Sequence, residues 1–157
     1  SYQKVLQRER INALALVVAG WVEEVHNQAA KEVNSDSSQG GCKITWSLPL
    51  SGVGAGTVVA TADSDCDARQ SSLKIPADFT GLVSLANSAT SNNLIFTPRG
   101  FWTNGTATAS GDLIIKMVLD GTGPKRCVRI SESLASVDVG TADTSNLTGD
   151  CTGYGSI

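Results

Sequence analysis

The 157 residues include 12 lysines and arginines against 15 aspartates and glutamates, a formal net charge of -3, and only 17% of them are charged. A chain of this length is one domain able to bury a core, and its slightly acidic balance gives no overall attraction for nucleic acid or an anionic membrane. Few charges, 16 glycines and many small polar residues point instead to an extracytoplasmic surface rich in loops.

The first element is helical. Leu14, Val18, Trp21, Val22, Val25, Ala29 and Val33 recur at the three-to-four spacing of an amphipathic helix, which predicts a helix over residues 1–33. Asn34 to Gly41 is a run of helix-stopping residues ending in two glycines. The longest apolar stretch, Ala13 to Val22, contains Gly20 and is too short to cross a bilayer. No signal-peptide pattern occurs in these residues.

After residue 41 the period changes. Lys43 to Leu48, Thr57 to Ala62, Ser71 to Ile75, Gly81 to Leu85 and Leu94 to Thr97 read as short strands, and Pro49 to Gly56 reads as a flexible loop. Asp112 to Leu119 is an apolar strand, Asp120 to Pro124 a hairpin turn, and Arg126 to Ile130 and Ala135 to Val139 continue a meander. Thr141 to Ile157 is a small, polar tail. The expected class is α+β: one long N-terminal helix over residues 1–33 laid on antiparallel sheet, with a β-rich headgroup over 42–157, forming a single domain.

Cys42 and Cys66 are 24 residues apart, as are Cys127 and Cys151. Four cysteines allow three pairings, and spacing does not choose among them. Sequential pairing is the simplest because each bridge closes a local loop. There is no C-x-x-C, and the one histidine, His26, lies on the helix far from the cysteines, so a zinc site fails on ligand supply. Structural disulfides place the chain in an oxidising compartment.

Candidates for chemistry are few. His26 would need a cleft and a nucleophile to act as a base. Asp63, Asp65 and Asp67 lack the glycine and terminal glutamate of a calcium loop. Gly52-Val-Gly-Ala-Gly56 has neither a following Lys-Ser/Thr nor a helix start, so it does not read as a phosphate loop. The expectation is no enzyme activity, no cofactor and no metal.

The helix, the segment Leu94-Ile-Phe-Thr-Pro-Arg-Gly100, the hairpin from Asp112 with Arg126-Cys-Val-Arg-Ile-Ser131, and the closing Gly149-Asp-Cys151 together resemble minor pilins and pseudopilins of the GspH/FimT/FimU branch, from type IV pili and type II secretion systems. The resemblance implies a pilin-like fold and pairing of Cys127 with Cys151, leaving Cys42 to Cys66. It implies a non-enzymatic assembly subunit, foremost a type IV pilus minor pilin in or priming the filament tip, alternatively a GspH-type pseudopilin. Such proteins carry a leader, an apolar half-helix and a methylated N-terminus, so this chain is expected to be the soluble headgroup of a longer, membrane-anchored protein. The expected location is the periplasmic face of the bacterial inner membrane, then a pilus or pseudopilus at the cell surface. Implied partners are other major and minor pilins or pseudopilins and an inner-membrane assembly platform.

In that setting Leu14, Val18, Trp21, Val25 and Ala29 hold the helix on the sheet, and Val5 and Leu6, toward the end where sheet cover runs out, are candidates for contact with other subunits, the alternative being ordinary packing within the domain. The Gly-Arg turn common after the arginine-containing strand of this branch is absent from Ile130 to Ala135. Some FimT-like members bind DNA through a basic C-terminus, whereas Gly140 to Ile157 contains no Lys or Arg. The residues left for phosphate are Arg99, Lys125, Arg126 and Arg129. Because Arg126 and Arg129 point to opposite faces of a strand, any DNA binding is expected to be weak and salt-dependent.

Overall fold

A computed structural model describes residues 2–31, 42–63, 66, 69–88, 92–96, 102–103, 112–119, 123–131, 136–142 and 146–156. Its first element, α1 (Tyr2–Lys31), is a helix of 30 residues. The segment has no proline, one glycine and many strong helix formers, so propensity and the apolar period agree. Leu14, Val18, Trp21, Val25 and Ala29 are all buried, joined on the same face by Ile11, Ala15 and Val22. The last residues of the expected helix, 32 and 33, and the stop run to Gly41 lie outside the described residues.

Two antiparallel sheets receive the helix. The first contains β1 (Cys42–Trp46), β3 (Val58–Ala62), β4 (Ser72–Lys74), β6 (Asn93–Phe96) and β7 (Trp102–Thr103), in the order β4-β3-β1-β6-β7. The second contains β2 (Leu50–Val53), β5 (Val83–Asn87), β8 (Leu113–Leu119), β9 (Lys125–Ile130), β10 (Val137–Ala142) and β11 (Thr152–Ser156), in the order β11-β10-β9-β8-β5-β2. In β1 strict alternation buries Cys42, Ile44 and Trp46 and exposes Lys43 and Thr45, the signature of a strand with one wet face.

The helix reaches both sheets. Trp21 meets Trp46 of β1 edge to face, with ring centroids 6.4 Å apart, and its indole Nε1 donates to the carbonyl of Gln70 at 2.9 Å. One turn on, His26 lies 5.0 Å from the ring of Phe96 in β6. Nearer the N-terminus, Asn12 accepts a hydrogen bond from the Arg126 guanidinium of β9. Ile115, Met117, Val128 and Ile130 fill the space between α1 and the six-stranded sheet.

Both disulfides form, Cys42–Cys66 and Cys127–Cys151, with Cα separations of 5.1 and 6.1 Å. Pairing is therefore sequential, as the family resemblance implies.

Three segments depart from the sequence reading, the shortest being β7, which pairs with β6 where no strand is expected. The loop expected over Pro49 to Gly56 contains β2, which pairs Leu50 with Leu85 and Val53 with Val83 across a register shift. Gly52 sits in that shift at φ 59°, and its N–H donates to Ser84 Oγ at 3.1 Å. The glycine marks a β-bulge rather than flexibility. Likewise the polar tail ends in β11, which pairs with β10 through a second shift, with Gly153 at φ 60°.

Candidate assembly surface

Midway along α1 the face turned away from the sheets carries an apolar stripe between polar ends. Ala13, Leu16, Val17 and Gly20 recur at the spacing of one helical face, and all four are exposed. Leu16 is 55% and Val17 38% exposed, and Val5, three turns before Leu16, is 50% exposed. A β-carbon placed on Gly20 would meet nothing within 4 Å. Charged residues bracket the stripe, Arg8 and Glu9 before it and Glu23 and Glu24 after it. Single exposed apolar residues are ordinary, but a stripe on a helix whose other face is already buried is an unfilled packing surface.

Of the two expected subunit contacts, Val5 belongs to this outer face and Leu6 is half-buried. Leu16 and Val17 were not singled out from the sequence. Their signal was present: they break the Leu14, Val18, Trp21, Val25 series and extend the apolar character of the helix to its opposite side.

The basic residues considered for phosphate do not share a surface. Lys125 is completely buried at the start of β9, with its Nζ donating to the carbonyls of Asn146 at 3.2 Å and of Gly149. Burial, then the neighbouring Lys116 ammonium, pushes its pKa below the ordinary lysine value, and Asp150 opposes them. Arg126 faces the opposite side of the strand, buried against α1, where its Nε donates to Asn12. Arg129 donates to Asp138 at 2.9 Å and its guanidinium stacks 3.9 Å above the ring of Tyr154. The hydrogen bond to Asp138 raises its pKa above the ordinary arginine value, with burial acting in the other direction. Arg99 lies outside the described residues.

The register explains this division. Lys125, Cys127 and Arg129 alternate onto the outer face of the six-stranded sheet, and Arg126, Val128 and Ile130 onto the helix side. On the outer face Tyr154 of β11 lies flat over Gly140 of β10, where a β-carbon would approach its ring to 2.7 Å. Burial raises the Tyr154 pKa, with Asp150 adding to the shift and Arg129 reducing it.

Among the described residues no group of three His, Cys, Asp or Glu could hold a metal ion, and no helix is long and apolar enough to cross a membrane. What the geometry offers, among the described residues, is a disulfide-bonded headgroup whose helix carries an exposed apolar stripe. A protein-family model described as type II transport protein GspH matches residues 24–133, which is most of the chain. No curated protein and no solved structure matches.

Proposed function

Because the chain belongs to the GspH family of type II transport proteins, we infer that it is a pseudopilin of a type II secretion system whose helix α1 packs against other subunits of the pseudopilus. It is a structural, non-enzymatic protein, pseudopilin- or minor-pilin-like, and proteins of its family act with other pilins or pseudopilins and an assembly platform. The sequence resemblance alone puts a type IV pilus minor pilin first and the pseudopilin second. The family match favours the pseudopilin.

The observation that carries the proposed mechanism is the stripe Ala13, Leu16, Val17 and Gly20, exposed on a helix whose opposite face already holds the core. A neighbouring subunit's apolar helix would cover it, and Gly20 would let the two backbones approach closely. The headgroup then stands on the oxidising side of the inner membrane, where its disulfides persist, and anchoring falls to a more apolar helical segment of the whole protein. DNA capture draws little support from this headgroup, since Lys125, Arg126 and Arg129 already serve intramolecular partners.

The test is genetic complementation. In a strain lacking this gene, exoprotein release fails while surface piliation continues, and the wild-type gene restores release. The double variant Leu16→Asp, Val17→Asp does not restore it, although its headgroup folds. Lost piliation with normal exoprotein release would instead assign the protein to a type IV pilus.

A further inference from the structure

A buried lysine is a rare feature of a strand, and this sheet buries two on adjacent strands. Lys125 is 0% and Lys116 8% exposed, both on the outer face of the six-stranded sheet. Ammonium groups are taken out of water at high cost unless their donors find acceptors. Among the described residues, their acceptors all come from one segment, residues 146–150. Lys125 Nζ donates to the carbonyls of Asn146 and Gly149, while Lys116 Nζ donates to the carbonyl of Thr148 at 3.4 Å and lies 3.5 Å from the Asp150 carboxylate.

The segment is shaped to supply them. The side-chain oxygen of Asn146 accepts from the Thr148 N–H and hydroxyl at 3.2 Å each and from the Gly149 N–H at 3.3 Å. That turn gathers the loop's own donors onto Asn146 and leaves its carbonyls for the two lysines. Gly149 lies directly against the lysine, since a β-carbon there would be in van der Waals contact with Lys125 Nζ at 3.7 Å.

We propose that Lys116 and Lys125 form an internal-cation latch that docks residues 146–156 on the outer face of the sheet without help from the Cys127–Cys151 disulfide. The two lysines occupy the place a bound cation would take among these carbonyls. Cys127 is the cross-strand partner of Lys116, and Cys151 follows Asp150, so the latch sets the two cysteines side by side before a bond joins them. The disulfide then secures a segment that is already seated.

Hydrogen exchange of the Thr152–Ser156 amides in the 157-residue chain tests this directly. In Cys127→Ser, Cys151→Ser these amides stay protected, and adding Lys125→Met lowers their protection about tenfold or more, the scale of hydrogen bonds to a charged group. Equal loss of protection in the double and triple variants would overturn the latch, and so would a Lys125→Met substitution without effect. If the triple variant fails to fold, Asp150→Asn in the serine background replaces it. Its carboxylate is 70% exposed, and the expected loss is then about threefold, as for a partly exposed ion pair. An unchanged rate there would equally overturn the proposal.

Discussion

Midway along α1 the two faces differ in what covers them more than in what they are made of. The inner face, Leu14, Val18, Trp21, Val25 and Ala29, is buried against both sheets, while the outer face places Leu16 and Val17 in water beside Ala13 and Gly20. A helix that served only its own domain would gain solubility from charges at those outer positions. The inner face thus accounts for the fold, and the outer face is the one proposed to serve assembly.

Substitutions can break this comparison or sharpen it. The largest expected effect is on the inner face. Trp21→Ala removes the edge-to-face contact with Trp46 and the hydrogen bond to Gln70, and should cost about 3–5 kcal/mol in denaturant unfolding. A loss below about 1 kcal/mol would mean the helix is not held where it is described.

Next comes a change remote from both helix faces. Replacing Cys127 and Cys151 together by serine should lower stability by about 3 kcal/mol. Subunits that remain folded keep the outer stripe and should still assemble, which chemical crosslinking of intact cells would record. The sheet supplies a third case. Gly140→Ala drives a β-carbon into the Tyr154 ring and should cost about 1–3 kcal/mol as overpacking. Displacement of the Tyr154 ring resonances by NMR would accompany it, while those of Trp21 stay in place.

The smallest stability effect belongs to the outer face. Leu16→Ser with Val17→Ser should move the unfolding free energy by no more than about 0.5 kcal/mol for each position, yet reduce assembly sharply. A large destabilisation would show that the outer face also serves the fold.

How much of this could be read in the sequence depended on the kind of signal. The buried helix face and the strands β1, β3, β6, β8 and β9 follow from apolar periods of 3.6 and 2, which persist because each of those elements lies against the core. Besides β7, a two-residue strand at the edge of the five-stranded sheet, the missed strands are β2 and β11, the two edges of the other sheet. Each carries a glycine at positive φ near a register shift, Gly52 and Gly153, so alternation is interrupted where pairing continues. Such bulges are common at sheet edges, where they discourage pairing with another chain. The lysine latch was illegible for another reason. Lys116 and Lys125 look like solvent-facing residues of alternating strands, and the return of residues 146–150 over that face supplies their acceptors.

The central claim, that the outer face of α1 meets other subunits, is tested most directly by photo-crosslinking from that face in cells assembling the secretion apparatus. A photoreactive amino acid at Leu16 should capture other pseudopilins, whereas the same group at Thr45, exposed on β1 of the five-stranded sheet, should capture few. Equal capture from both positions, or none from Leu16 in cells that secrete normally, would contradict the account.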